Sequence, residues 1–406
     1  MADFNPFNPN SVVVPTLFAG RSLQVNEICR KLSQLRHGMP ASFFVYGERG
    51  IGKTALVKIV RYIATLKDPG LHDLNLLTSY YAVEDGQDVG SVLQESLNKI
   101  TDGMDKTIVE KVGGRLGNLF KNGKFEIGAF GASLGVELGS DDSKREITIK
   151  DQTVSILSNL LKVVSEDESK KYQGILIIID ETHNLKKLTE VASILRNIVT
   201  TLDVENLGKL AFLLVGYEED MEKFFSIDTS ARRTFDAIKI ETMPVKEAAE
   251  VVSKGLDAAK ISYDQGIIER NIGVAGGYPH SIQIIGRHLV EADSDNDISQ
   301  QDWDDAMINA AIDMRTKEFS QMYSFDKPLT LSDQILVLLA KENRPISKKE
   351  ISLKLGGKNI YQNLPELKKK GAIKEDSNKN IILQSQLFRT AILVDQNIRV
   401  IRARDE

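Results

Sequence analysis

Apolar and polar positions along this chain fall into blocks whose period switches between helical and strand-like. Ser22 to Leu35 has Ile28, Leu32 and Leu35 at four- and three-residue steps behind Leu23, which predicts a helix. Ser42–Tyr46 (SFFVY) is a short apolar run ending at a glycine and reads as a buried strand, with a helix following from Thr54 to Leu66. Leu74–Val83 reads as a second strand and Gly90–Ile100 as a helix. Thr153–Val164 again has helical spacing. Gly174–Asp180 (GILIIID) and Leu210–Gly216 (LAFLLVG) are apolar without interruption, as strands of a parallel sheet covered on both faces must be. Strands alternating with helices predict an α/β fold: a parallel sheet with helices on both faces.

The pattern then changes twice. From Pro244 to Phe325 it is helical throughout, broken at Gly276-Gly277 and at the polar stretch Asp293–Asn296, which predicts a helical lid over 244–327. After Pro328 come a helix over Ser332–Lys341, a capping box at Ser347–Glu350 and a helix over Asn359–Lys370 closed by Gly371. A hairpin over Ile373–Leu383 follows. Three short helices and a β-wing predict a C-terminal winged-helix domain over 328–406, leaving 1–243 for the core. One segment of that core, 101–150, holds 9 of the 29 glycines and reads as an inserted hairpin or flap.

Composition sets outer limits. With 42% hydrophobic and 27% charged residues, a 406-residue chain has material for two or three packed domains. No run approaches the roughly 18 apolar residues of a membrane span, so no membrane role is expected. The opening MADFNPFNPNSVVVP has no basic segment before an apolar one and does not read as a secretory signal. A single cysteine, Cys29, rules out an internal disulfide framework and fits a reducing, cytoplasmic setting. The five histidines show no metal-ligand spacing. Charge is uneven: residues 330–406 carry 15 Lys+Arg against 9 Asp+Glu, whereas the rest carries 37 against 48. A basic end on an acidic body fits a polyanionic partner, or simply a solvated Lys-rich surface.

The strongest chemical signal lies between the first strand and its helix. Gly47-Glu48-Arg49-Gly50-Ile51-Gly52-Lys53-Thr54 fits G-x-x-x-x-G-K-[ST] in the strand–loop–helix context that the motif requires. Glycines let backbone N–H groups, up to that of Ala55, curl around phosphate oxygens, and the helix N-terminus adds partial positive charge. Lys53 can reach the β- and γ-phosphates of ATP, and the Thr54 hydroxyl can ligate Mg²⁺. A second signal is the carboxylate pair Asp180-Glu181 at the tip of a buried strand. Asp180 is placed to hold Mg²⁺, and Glu181 to orient and deprotonate the attacking water.

Together these motifs resemble the AAA+ ATPase superfamily, in the region shared by prokaryotic initiator-type ATPases and STAND signalling ATPases. GERGIGKT is similar to that family's Walker A and ILIIIDE to its Walker B. Phe18-Ala19-Gly20-Arg21 resembles a box lining the adenine pocket, and Gly276–His280 resembles a lid turn. The resemblance implies that Arg21, Pro279 and His280 face the nucleotide and that Arg232 or Arg233 serves as an arginine finger in a homo-oligomer. It also implies a polar sensor after Leu210–Gly216. Here the strand ends at Gly216-Tyr217, so that role is empty or passes to a neighbour such as Glu218.

Two functions remain open on these grounds. One is a nucleotide-switched, oligomeric ATPase that grips duplex DNA through its winged helix, with Lys368, Lys369 and Lys370 ending the groove helix. The other is a STAND-like ATPase whose lid and winged helix engage a protein partner.

Overall fold

Seven strands lie in the first 241 residues among those described: β1 (Ser42–Tyr46), β2 (Leu77–Ala82), β3 (Phe120–Lys121), β4 (Lys124–Phe125), β5 (Ile175–Asp180), β6 (Leu210–Gly216) and β7 (Phe235–Lys239). Five of them form one parallel sheet in the order β2-β5-β6-β1-β7. The computed structural model describes residues 4–11, 17–66, 73–102, 104, 106–116, 120–121, 124–125, 127, 142–166, 172–325 and 327–405.

Burial explains the sequence pattern strand by strand. Every residue of β5 and β6 is buried, and so are the first four of β1. One face of these central strands (Ile175, Ile177, Ile179, Phe212, Leu214) packs into a core with helices Val89–Thr101, Lys106–Leu116, Asp142–Glu166 and Leu188–Val204. The intervening residues (Leu176, Ile178, Leu213) are equally buried on the other face, where helix Lys53–Thr65 packs. The edge strands are less buried: β2 alternates buried and more exposed residues, and β7 buries only Phe235 and Ile238.

Segment 101–150, expected as an inserted hairpin or flap, holds more helix than that expectation. Its described part is a helix over Lys106–Leu116, the two-residue pair β3–β4 and the start of helix Asp142–Glu166, which begins eleven residues before the apolar periodicity reveals it. Phe125 is fully buried, with Phe120 4.9 Å from it between ring centroids. Most of the expected hairpin strand up to Leu138 lies outside the described residues.

Packing divides the chain into Ser22–Glu241 and a second unit that joins Met1–Arg21 to Thr242–Glu406. This corrects the placement of residues 1–21 with the sheet domain. Phe7 is the physical reason: it is 2% exposed, and its ring fills a slot left by Gly255 and Gly286. A Cβ on either glycine would lie 2.1 or 2.5 Å from that ring. Asn5 Nδ2 donates to the Arg287 carbonyl at 3.0 Å, and the Asn8 N–H donates to Gln283 Oε1 at 2.9 Å.

The second unit is helical, with breaks at Gly276-Gly277 and Asp293–Asn296 as the pattern predicts. Residues on both sides of Pro328 share one hydrophobic core. After helices Leu331–Glu342, Lys348–Lys354 and Asn363–Lys369 come the antiparallel β8 (Ile373–Glu375) and β9 (Ile381–Leu383), then a 20-residue helix, Gln386–Asp405, that the pattern did not reveal. Arg389 on that helix is buried and donates to the carbonyls of Ala340, Val274 and Gly273. It thus satisfies orphan carbonyls at the C-termini of two helices at once. Burial without a counter-charge pushes its pKa down to about 10.

Candidate nucleotide site

The carboxyl ends of the parallel strands bring the predicted residues together. Tyr46 pairs with Gly216 and Ala82 with Asp180, so the chain leaves β1, β2, β5 and β6 at one edge of the sheet. Gly47 turns the chain out of β1 with φ +156, and a Cβ there would meet the Ile240 carbonyl oxygen at 2.5 Å, so only glycine fits. Gly52, at φ 93, starts helix Lys53–Thr65, whose first intrahelical bond runs from the Leu56 N–H to the Gly52 carbonyl. The N–H groups of Lys53, Thr54 and Ala55 therefore have no acceptor within the helix and point at its N-terminal end.

Lys53 reaches back across this loop. Its Nζ donates to the carbonyls of Gly47 at 2.9 Å and Glu48 at 2.8 Å, and lies 4.7 Å from the centre of the Tyr217 ring. Burial lowers its pKa, against the opposing fields of Asp180, Glu181, Asp220 and Glu48. A half-buried ammonium held by carbonyl oxygens can exchange them for phosphate oxygens without leaving the loop.

Asp180 is 2% exposed, yet among the described residues no cationic side chain pairs with it. Its Oδ2 accepts from the Thr54 hydroxyl at 2.9 Å and the Tyr80 hydroxyl at 2.8 Å, and Oδ1 accepts from the Glu181 N–H at 2.8 Å. Burial, with Asp180 adjacent, pushes the Tyr80 phenol well up, so it stays a donor. No group of three or more His, Cys, Asp or Glu among the described residues could cage a metal. A hydroxyl and one carboxylate in contact are nevertheless what Mg²⁺ uses when phosphates and water supply the remaining ligands. The donor set fits that ion.

Glu181 follows in a left-handed conformation, φ 59 and ψ 44, which costs a non-glycine residue on the order of 1 kcal/mol. The strain turns its carboxylate out of the sheet, where Oε2 lies 3.3 Å from His183 Nδ1. His183 in turn lies 4.8 Å from the Tyr217 ring. Tyr217 therefore occupies the place after β6 where a polar sensor is expected, and Glu218 does not. Glu218 is exposed and pairs with Lys239 at 3.1 Å. Burial, with Glu181 adding to it, raises the Tyr217 pKa, and its N–H donates to the buried Asp220 at 2.7 Å.

The remaining candidates fall in different places. Glu48 and Arg49 are exposed on the loop, and Ile51 is buried beneath it. Arg21 is buried at φ 61, its N–H donating to Glu247 Oε2 at 2.9 Å, and it belongs to the second unit. Pro279 opens helix Pro279–Ala292 and His280 lies edge-on to Tyr278, also in that unit. Arg232 and Arg233 lie exposed in a short turn before β7, and the Arg232 guanidinium covers the Phe225 ring at 4.8 Å. Because Phe235 pairs with Ser42 at the start of β1, that turn sits at the amino edge of the sheet, opposite Gly47. Tyr80 and Asp220 had no signal in the sequence.

Residues 17–211 match the family described as AAA ATPase domain. No curated protein matches the chain. Among solved structures the chain is similar to Cdc6p from Pyrobaculum aerophilum (15% identity, 97% of each chain covered, TM-score 0.47). It is likewise similar to the Aeropyrum pernix ORC2 protein in ADPNP-ADP complexes (13% identity, 98% of each chain, TM-score 0.48). A STAND protein with a tetratricopeptide repeat sensor from Pyrococcus horikoshii matches at 15% identity and TM-score 0.36, over 95% of this chain and 42% of that one. With glycine loop, Lys53, Thr54 and Asp180 assembled at one sheet edge, residues 17–211 of this chain are an AAA ATPase domain.

Proposed function

We propose that the chain is a nucleotide switch that binds ATP with Mg²⁺ at Gly47–Thr54 and hydrolyses it. The observation that carries this reading is the 2.9 Å contact between Thr54, the residue after Lys53, and the buried Asp180. In this reading Lys53 exchanges the Gly47 and Glu48 carbonyls for β- and γ-phosphate oxygens, and the first-turn N–H groups cradle the same phosphates. Thr54 and Asp180 hold the metal, which when bound neutralises charge developing on the phosphates. Glu181 takes the proton of the attacking water, with His183 holding its Oε2. Arg21, Pro279 and His280 are proposed for the base side of the nucleotide on the resemblance alone.

Arg232 and Arg233 complete the proposal in trans. The five residues of β1 separate their turn from Gly47 by roughly 16 Å within one subunit, so they would serve a neighbour's site. Replacing Arg233, or Arg232, by Ala is expected to cut turnover by about 10³-fold or more while ATP affinity of the monomer stays near wild type. Wild-type turnover per subunit should rise with protein concentration in a steady-state assay. Concentration-independent turnover, unmoved by either substitution, would remove the shared site.

The C-terminal elements, three helices and a hairpin whose β9 also pairs with Ile346, support a winged helix. Its action on duplex DNA is the first reading of that module. The second is a protein partner, and several of the lysines there already pair with carboxylates. Glu375 accepts both Lys348 at 3.0 Å and Lys368 at 3.3 Å, and Glu366 accepts Lys370 at 2.7 Å. Such exposed pairs are each worth under about 1 kcal/mol and would open for phosphate. If DNA is the partner, Ala at Lys368, Lys369 and Lys370 should flatten the slope of log affinity against log salt by up to about three units. Absence of duplex binding by wild type at low salt, in either nucleotide state, leaves the protein-partner reading.

A further inference from the structure

We infer that Tyr80 is the positioning residue for the metal-holding carboxylate, an inference that rests on the nucleotide reading of the same site. Tyr80 lies on the edge strand β2, paired with Ile178 two residues before the end of β5, and its hydroxyl spans the difference to reach Asp180 Oδ2 at 2.8 Å. A carboxylate oxygen has two lone pairs, and here both of those on Oδ2 are taken by O–H donors, Tyr80 and Thr54. Oδ1 accepts one donor, the Glu181 N–H, and keeps one lone pair for a metal-bound water. The phenol thus fixes which oxygen faces Thr54 and which faces outward.

The ring itself is held from the phosphate-loop side. Lys58 Nζ, on the helix that starts at Lys53, lies 5.3 Å from the centre of the Tyr80 ring. Two residues back on the same face of β2, the Thr78 hydroxyl accepts from Arg61 Nε of that helix at 3.2 Å. Tyr80 therefore ties the phosphate-loop helix to the carboxylate, in addition to the direct Thr54 contact. Without the hydroxyl, Oδ2 keeps only Thr54 and Oδ1 only the Glu181 N–H, so the carboxylate loses one of three restraints on its χ2 torsion, which is broad and nearly two-fold. The metal would then meet a carboxylate that must first be oriented.

Tyr80→Phe removes this one oxygen and keeps the ring. With a slowly hydrolysed ATP analogue at fixed concentration, MgCl₂ titration of the whole protein reads the Mg²⁺ midpoint for analogue binding. The expected result is a midpoint raised about three- to tenfold in Tyr80→Phe, less than the full loss of one charge-assisted hydrogen bond because Thr54 and the Glu181 N–H still hold the carboxylate. Affinity for the analogue in EDTA, and the unfolding midpoint in EDTA, should stay close to wild type. An unchanged Mg²⁺ midpoint would overturn the positioning role and leave the nucleotide site standing. A variant that loses analogue affinity in EDTA as well would also overturn it, since Tyr80 would then be supporting the phosphate loop. Wild type that binds no analogue, with or without Mg²⁺, would instead overturn the nucleotide reading itself.

Discussion

Lys53→Ala is expected to weaken ATP binding by about 2–5 kcal/mol, roughly 30-fold to several thousand-fold. The ammonium is half-buried, and its partners are the Gly47 and Glu48 carbonyls and the Tyr217 ring. Removing it leaves phosphate charge facing N–H dipoles alone, which attract an anion more weakly than a full charge does. The fold should survive, because the hydrogen bonds of Lys53 go to its own loop and its cation–π contact is to the half-exposed Tyr217 ring. Calorimetric titration of wild type and variant reads the difference, and equal affinities would remove Lys53 from the site.

Glu181→Gln is expected to leave ATP affinity within a few-fold of wild type and to slow hydrolysis by about 10²–10⁴-fold. The amide keeps the shape and the contact to His183 but cannot accept the proton of water. The left-handed backbone at Glu181 aims the side chain out of the sheet in either variant, so the loss is chemical and not conformational. Single-turnover measurement of phosphate release checks this. Unchanged turnover would move the base elsewhere, with His183, 3.3 Å away, the next residue to replace.

Much of this site is legible in the amino-acid sequence. The glycines of Gly47–Gly52 announce a loop whose backbone must approach an anion. The unbroken apolar runs before Asp180 and Gly216 announce strands with no solvent face, and both are buried throughout. Tyr80 was illegible for a definite reason. LTSYYA alternates as an edge strand should, and nothing local tells that its fourth residue lies two residues short of the neighbouring strand's tip, within reach of Asp180; that follows from the Tyr80↔Ile178 register. Tyr217 was visible only as a missing polar residue, because its contact to Lys53 requires β6 to lie beside β1. Phe7 likewise depends on two glycines, Gly255 and Gly286, far along the chain on facing helices. The helix Gln386–Asp405 escaped because its buried residues surround Arg389, Thr390 and Asp395, three buried polar groups that blur an apolar stripe.

Whether Gly47–Thr54 and Asp180 together form a site for ATP and its metal is decided by calorimetric titration of ATP into the whole wild-type protein, once with Mg²⁺ and once with EDTA. One saturable site per chain, bound more tightly with Mg²⁺ because Thr54 and Asp180 engage the ion, is the result predicted. No saturable binding in either buffer, or binding of equal strength in both, would contradict it.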